Sequence, residues 1–488
     1  MPDDLTPQPA PDQPRIGVDE WVASVEGKRE RYRGPVGWVL RGWDAAPPAV
    51  RLLVFLVPAA IFPLVTTEGN LFRYGLITLI YALLALGLNV TVGFAGLLDL
   101  GYIAFFGFGA YTYGFLASGH SGHHWAAEFA IPVAILVAAL AGLLLGLPSR
   151  RLLGDYLAIV TLFFGQAFVV FVNNANRIDF PFIGHTDLTG GANGLDNIDP
   201  LNVFGWKVNT TKEYYFFTLG AFALVMILLY FVNESRTGRA WRALREDPLA
   251  AEVMSMPVNR LKLMAFVFGA ATAGFAGSIY GAVQTGAFPG DFDVGLLITV
   301  YAIVILGGAG SLAGVVIGAI IVNGVPELLR DANEAEWVFY TALALILVTR
   351  IRPWRRFAVI VGGTVALGFA LHAIADAAWP RWTDGHPGQG ALAHWVGHWM
   401  LLPSSPTQIG NFAYALLIAA ILVLTLVRGW WRTGLMIPTI WLGAFVWENL
   451  LVEQTAGATR FLLLGALLVV LMNARPQGLF GTARVEIA

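Results

Sequence analysis

The chain has 488 residues, of which 57% are hydrophobic and 13% charged, with a mean hydropathy of +0.66 and a formal net charge of −2. A composition this apolar excludes an ordinary soluble globular protein and predicts an all-α, polytopic membrane protein. The near-neutral charge singles out no partner class, nucleic acid is not expected, and the absence of cysteine excludes a disulfide framework or a thiolate metal site.

Residues 1–48 are polar, open with a Pro-rich stretch and carry no apolar h-region. They are expected to form a cytoplasmic extension, helical around Trp21 to Arg33, and not a cleavable signal peptide. Apolar runs follow at Val50–Val65, Tyr74–Val92, Leu97–Leu116, Ala126–Leu147, Leu157–Val172 and Tyr214–Val232. After a polar interruption come Leu263–Val283, two short runs at Leu296–Leu306 and Leu312–Val322, then Trp337–Val348 and Phe357–Ala378. Phe412–Val427, Leu435–Leu451 and Phe461–Met472 complete the set. Most approach the roughly 20 residues that cross a hydrocarbon core. With the N-terminus inside, Arg150/Arg151, the polar interruption, Arg350/Arg352/Arg355/Arg356, Arg428/Arg432 and Arg475 all fall on the cytoplasmic side if both short runs cross. About 14 crossings result, including short or broken helices, with both termini cytoplasmic.

The interruption, residues 233–262, carries Arg236, Arg239, Arg242, Arg245, Arg260 and Lys262 against Glu234, Glu246, Asp247 and Glu252. This Arg/Lys excess places it in the cytoplasm. Asp247 followed by Pro248 is an N-cap followed by the residue best tolerated at the first helical position. Leu249, Val253 and Met256 then recur on one stripe, and Pro257 ends the pattern, so a short helix is expected over Asp247 to Met256. Two readings stand: a solvated connector whose charges fix topology, and a docking element that needs a partner surface, since so short a helix is marginal alone.

Two glycine-rich stretches flank this segment in sequence. Between the short apolar runs lies GGAGSLAG, which reads either as two half-helices meeting within the membrane or as a small-residue packing face of Gly310, Gly314 and Gly318. The other, Leu88 to Gly114, holds Gly93, Gly96, Gly101, Gly107 and Gly109 around Asp99. An ionisable residue inside an apolar segment is a functional-site hypothesis by default, while the following Leu-Gly makes Asp99 a candidate helix cap. Both readings share one geometry, a half-helix whose N-terminus suits a carboxylate.

GRAWRALREDPLAAEVMSMPVNRLKLMAFVFGAATAGFAGSIYG and GFAGLLDLGY, with GDYLAIVTLFFGQAF, LTGGANGL, GGAGSLAGVVIGA and RPQGLFG in the same order, resemble the LivM-type permeases of branched-chain amino-acid ABC importers. The resemblance covers residues of about 50–350 and again 448–481; the related urea and short-amide permeases are the alternative. It implies a permease core at 49–349, a coupling loop at 233–262 that engages an ATPase, and a terminal helix and tail at 448–488. Residues 350–447 have no counterpart in the family pattern, and the core's end recurs in FYTALALILVTRIRPW and FLLLGALLVVLMNARPQG. Either the terminal helix is duplicated around extra helices or the extra helices are inserted before it, and they are expected at the periphery. By the same resemblance the substrate path takes Asn89, Asp99, Gly101, Tyr102, Gly107, Gly310 and Ser311, and ATPase coupling takes Arg239, Arg242, Arg245, Asp247, Pro248 and Glu252. The implied partners are a second homologous permease, two cytoplasmic ABC ATPases, a periplasmic amino-acid-binding protein and lipid, in a bacterial inner membrane. No cofactor is implied.

Other signals carry bland readings. His120, His123 and His124 lie in an external loop with no acidic ligand nearer in sequence than Glu128, and His394 with His398 reads as an interfacial helix with Trp395 and Trp399. Ser278 and Ser311 sit beside glycines with no histidine nearby, so no nucleophile is expected and the chain is not read as an enzyme. Lys28, Lys207, Lys212 and Lys262 are followed by Arg29, Val208, Glu213 and Leu263, so there is no phosphate-cradling P-loop and any ATPase must be separate. An ion-coupled transporter would place ionisable residues in several spans, and they are scarce here.

Overall fold

A computed structural model describes residues 42, 47–149, 152, 154–176, 178–180, 184–330, 332–351, 354–383, 391–403, 406–427, 429–452, 456–475 and 477–480. The expected helix at Trp21 to Arg33, Arg150, Arg151, Arg352 and Arg428 lie outside these residues. The chain divides into two units, Met1–Val65 and Thr66–Ala488. Within the first, helix α1 spans Pro48–Val65.

The second unit opens with α2, Glu68–Phe94, which contains π-helical turns at Leu71–Leu76 and Asn89–Phe94. Helices α3 (Tyr102–Leu116), α4 (Ala127–Ser149), α5 (Asp155–Asn174) and α6 (Thr211–Glu234) follow. Three two-stranded antiparallel hairpins, Ala117–Ser118 with His123–His124, Ile178–Phe180 with Gly184–Thr186, and Asn202–Val203 with Trp206–Lys207, lie in the connections flanking α4, α5 and α6. Two short helices, α7 (Arg236–Glu246) and α8 (Pro248–Val253), lead into α9, Val258–Gln284. A hairpin of α10 (Val294–Gly307) and α11 (Leu312–Leu328) comes next, then α12, Ala332–Arg350. The remainder is α13 (Trp354–Ala378), the short α14 (Ala391–Trp399), α15 (Pro406–Leu426), α16 (Trp430–Val446) and α17 (Ala456–Ala474). Among the described residues seven helices are long and apolar enough to cross a membrane, with shorter apolar helices beside them, which makes this an all-helical, multi-pass membrane protein.

Helix α9 is the centre of the second unit and packs most extensively on α4, α3 and α2. Small residues make that approach possible. A Cβ at Gly277 would collide with the Phe106 carbonyl oxygen and one at Gly109 with Gly274, while one at Gly142 would come within 2.5 Å of the Ala270 methyl. The Tyr102 hydroxyl donates to the Leu84 carbonyl at 2.8 Å and reaches the Gly269 carbonyl at 3.4 Å, bridging α2 and α9 through a fully buried ring.

Two sequence boundaries move. The run Leu97–Leu116 is helical only from Tyr102, because Gly96 adopts φ +70 and the chain passes Asp99 outside any helix. The helix expected over Asp247 to Met256 stops at Val253, because Ser255 takes a left-handed φ of +62 before Pro257 is reached. The α10–α11 turn is a tight hairpin closed by small residues: a Cβ on Gly307, Gly314 or Gly318 would strike the facing helix.

Residues 350–447 build a hydrophobic cluster of their own around Met400, Ala444, Val446 and Phe445. It meets α12 through Phe339, whose ring stacks on Trp447 at 4.5 Å, and through Tyr340, whose hydroxyl donates to Glu448 at 2.9 Å. The last helix, α17, returns to the α10–α11 hairpin. Beyond it, the Leu479 and Phe480 N–H groups donate to the Leu306 and Gly307 carbonyls at 2.9 and 3.0 Å, completing the otherwise open C-terminus of α10.

Candidate functional site

Helix α7 was not expected from periodicity, because its eleven residues bury only Gly238, Trp241 and Leu244. Those three suffice to fix it. The Ser235 hydroxyl caps its first turn by accepting the Gly238 N–H at 3.3 Å. Trp241 is fully buried, packs edge-on to Phe268 and donates its indole N–H to the Leu261 carbonyl at 2.9 Å. On the opposite flank, Arg239 donates to the Glu234 carbonyl at 2.9 Å and Arg242 to the Asn233 side chain at 3.0 Å. The helix is thereby braced to the end of α6 and the start of α9. Asp247 then caps α8, accepting from Leu249 at 2.8 Å and Ala250 at 3.1 Å, with Pro248 at the first helical position. Because α8 touches little of the bundle, Leu249, Val253 and Met254 stand 70%, 83% and 73% exposed, and Glu252 is exposed beside them.

Arg245 faces the other way. Its guanidinium donates to the Gly93 carbonyl at 2.6 Å and to the Ala309 carbonyl at 3.3 Å. These carbonyls lie within the two glycine-rich stretches, in the last π-turn of α2 and in the α10–α11 turn. One fork on α7 therefore ties both stretches to the segment that carries α8. Glycine is required on both sides of the fork. A Cβ at Gly96 would lie 2.9 Å from the Arg245 Cγ, and Gly310, at φ +90, would place one 2.6 Å from Nη1. The two stretches also bond directly, the Asn89 side-chain oxygen accepting the Gly310 N–H at 2.8 Å. Ser311 caps α11 by accepting the Gly314 N–H at 3.1 Å.

Asp99 is fully buried in the non-helical passage between α2 and α3. It is not the N-cap of α3; that position is Gly101, whose N–H donates to Asp99 Oδ1 at 3.1 Å. Thr161 of α5 accepts the Leu100 N–H at 2.9 Å, and the Tyr301 hydroxyl of α10 donates to the Asp99 carbonyl at 2.7 Å. Asp99 Oδ2 and Asn89 Nδ2 are buried with no hydrogen-bond partner among the described residues. Leu97 and Asp99 of this non-helical passage are buried in protein, while Gly96 and Leu98 are exposed.

Of the residues assigned to a path, Asn89, Asp99, Gly310 and Ser311 cluster around these turns. Gly101 makes a close backbone approach to Thr161, Gly107 receives the Phe168 ring, and Tyr102 braces the core. Of those assigned to coupling, Asp247, Pro248 and Glu252 belong to exposed α8, Arg239 and Arg242 hold α7 to α6, and Arg245 turns into the bundle. Tyr301 and Thr161 carry no local sequence signal, since their partners are 202 and 61 residues away.

At the other end of the bundle, His124 Nδ1 meets Asp199 at 2.6 Å and His120 meets Asp187 at 3.5 Å, so acidic partners come from a distant loop. No group of three or more metal-ligating side chains occurs among the described residues. Ser278 bonds the Phe275 carbonyl within its own helix.

A multi-pass helical bundle whose polar connecting segment carries one exposed apolar helix and one arginine clamped to two interior turns has the construction of a transport permease. A family model described as the branched-chain amino acid transport system permease component matches residues 70–351, and the chain belongs to that family; it is a permease component, not an enzyme. The high-affinity branched-chain amino acid transport system permease protein LivM of Escherichia coli (strain K12) is 37% identical over 322 residues, covering 61% of this chain and 72% of LivM. The corresponding LivH protein of Salmonella typhimurium is 30% identical over 214 residues, covering 42% and 63%. A probable branched-chain amino acid permease LivH of Methanocaldococcus jannaschii is 27% identical over 205 residues, covering 41% and 61%. No solved structure matches the chain.

Proposed function

We propose that the chain is one of two homologous permease subunits of an ABC importer for branched-chain amino acids in a bacterial inner membrane, working with two cytoplasmic ATPases and a periplasmic binding protein. Fourteen helical segments cross, counting α1, α2, α3, α10 and α11 with the longer helices, so both termini are cytoplasmic and the 233–262 segment faces the ATPases. The α2 and α10 turns, Leu152 (whose carbonyl accepts from Lys262 Nζ at 3.4 Å) and the Leu479–Phe480 segment all lie at that same end, which supports the count.

The reading is carried by the divided orientation of the coupling segment. Leu249, Val253 and Met254 of α8 are exposed, while Arg245, two residues before its cap, holds the carbonyls of Gly93 and Ala309. An ATPase groove takes the apolar edge of α8. When ATP closes the ATPases, α8 moves, α7 moves with it, and the Arg245 fork leaves or regains its carbonyls. Those two stretches then separate or rejoin around a path past Asn89 and Asp99, giving alternating access. Residues 350–447 form a peripheral unit, with 17% and 11% of the apolar windows of α13 and α15 buried.

The assembled complex in proteoliposomes, loaded with the binding protein, should hydrolyse ATP faster when leucine is present and import leucine without an ion gradient. Uptake that follows a proton or sodium gradient and ignores ATP would refute the reading. In this cysteine-free chain a single cysteine at Ala391 should react with an impermeant external thiol reagent and one at Gly429 should not; the residue Gly388 near the first lies outside the described residues.

A further inference from the structure

The turn between α9 and α10, Pro289–Phe292, faces the end of the bundle opposite the coupling segment and packs against α3, α5 and α10. Phe292 is its buried anchor. Its ring centroid lies 5.6 Å from that of Phe106, 5.7 Å from Tyr111, 6.0 Å from Phe168 and 6.4 Å from Tyr280, so α3, α5 and α9 each contribute aromatic rings to one cluster. Beside it stands Asp291, half-buried, within electrostatic reach of the hydroxyls of Tyr81, Tyr111 and Tyr280 on three different helices.

Two polar groups beside this packed cluster are incompletely used. The Tyr111 hydroxyl is buried with no hydrogen-bond partner among the described residues, and the side chain as a whole is 6% exposed. Asp291 accepts one recorded hydrogen bond, from the Phe288 N–H at 3.3 Å, and no ion pair to it is recorded among the described residues. Its neighbour Asp293 is spent differently, capping α10 through the Leu296 N–H at 3.1 Å. Burial pushes the Asp291 carboxyl above the ordinary carboxylate range, opposed by the Phe288 N–H and reinforced by Asp293. Among the described residues no ion pair neutralises this carboxylate, and the aromatic faces beside it attract cations within about 6 Å.

We propose that Asp291, the Tyr111 hydroxyl and the ring cluster around Phe292 form a receiving site for the transported amino acid, where the Asp291 carboxylate takes the α-ammonium, the rings of Phe106, Phe168 and Phe292 take the branched side chain, and the Tyr111 O–H donates to the substrate carboxylate. The inference rests on the importer reading, which places this mouth on the side where a binding protein delivers substrate. It supplies what that reading lacks, a group that recognises the charge of a zwitterion before the path reaches Asp99. A merely structural Asp291 would close its turn through the Phe288 N–H, and asparagine closes it equally well.

The two roles separate in the reconstituted complex. Asp291→Asn keeps the turn's acceptor and removes the charge; it should lower leucine uptake at least roughly tenfold, the loss of about one charge-assisted hydrogen bond. Tyr111→Phe should lower uptake less. Binding is read directly with Gln284→Cys, whose exposed native side chain bonds Tyr280 of the ring cluster at 3.4 Å. Saturating free L-leucine should slow its modification by an externally added methanethiosulfonate reagent, 4-methylpentanoate, which has no ammonium, should not, and adding Asp291→Asn should abolish the leucine effect. Equal protection by both compounds, protection that survives Asp291→Asn, or no protection in the Gln284→Cys chain would overturn the receiving site. Absence of ATP-driven leucine uptake by the parent complex, read in the same preparation, would instead refute the importer reading.

Discussion

Helices α2 and α9 on one hand and α15 on the other are alike in apolarity and opposite in circumstance. Mean hydropathy over their best windows is 2.0, 1.5 and 2.3, yet 78%, 61% and 11% of those windows is buried in the protein. Hydropathy therefore reports the membrane and says nothing about which helix lies inside the bundle. Glycine and backbone contacts do. Helix α9 places Gly269, Gly274 and Gly277 against Thr91, Ala138 and the Phe106 carbonyl, whereas on α13 Gly362 faces open space and Gly363 and Gly368 meet only the side chains of Ile437 and Trp399. In lipid, apolar side chains gain little by exchanging lipid for one another, so close packing and backbone approach decide the interior.

The contrast breaks most sharply at its glycines. Gly277→Val forces a branched side chain into the Phe106 carbonyl and should cost more than about 3 kcal/mol, beyond the usual overpacking range, with little folded protein recovered from the membrane by detergent size exclusion. Gly362→Val should change thermal stability by no more than about 0.5 kcal/mol. Equal yields of the two would mean that the buried and lipid-facing helices are not energetically distinct.

Asp99 sharpens the comparison inside the buried region. Asparagine retains the acceptor for the Gly101 N–H, and leucine loses both that bond and the charge. If the residue only shapes the entry to α3, Asp99→Asn should transport near normally while Asp99→Leu costs about 1–3 kcal/mol for the orphaned N–H. Severe loss of uptake in both, at normal expression, would assign a task to the carboxylate itself. The smallest effect belongs to the most exposed element. Asp247→Ala should remove about 1 kcal/mol of capping from α8, leave membrane insertion intact and reduce ATPase affinity in pull-down; unchanged affinity would detach α8 from docking.

Legibility followed the range of the interaction. The Asp247–Pro248 start of α8 was readable because cap and proline are adjacent, and the apolar spans were readable because each carries its own length signal. Helix α7 escaped because a stripe of Trp241 and Leu244 is shorter than two turns, although Ser235 three residues before Gly238 was a cap signal in plain view. Arg245 was recognised as a coupling residue but its direction was not, since its acceptors lie 152 and 64 residues away and are backbone carbonyls that no side-chain pattern announces. Asn89 to Gly310 spans 221 residues and was equally silent. Of the two similar endings, at residues 339–354 and 461–478, the second packs α17 on the α10–α11 hairpin and bonds Leu479 and Phe480 to α10, contacts that no local pattern announces.

In the proposed mechanism Arg245 transmits movement of the 233–262 segment to the two glycine-rich turns. Loss of its fork to Gly93 and Ala309 removes charge-assisted bonds worth roughly 2 kcal/mol, about thirty-fold in an equilibrium. The most direct test is the number of leucine molecules imported per ATP hydrolysed by reconstituted complexes carrying Arg245→Ala. The account predicts that ATP hydrolysis persists while uptake per ATP collapses, with Arg245→Lys recovering part of it. An unchanged ratio of leucine to ATP in Arg245→Ala would contradict it.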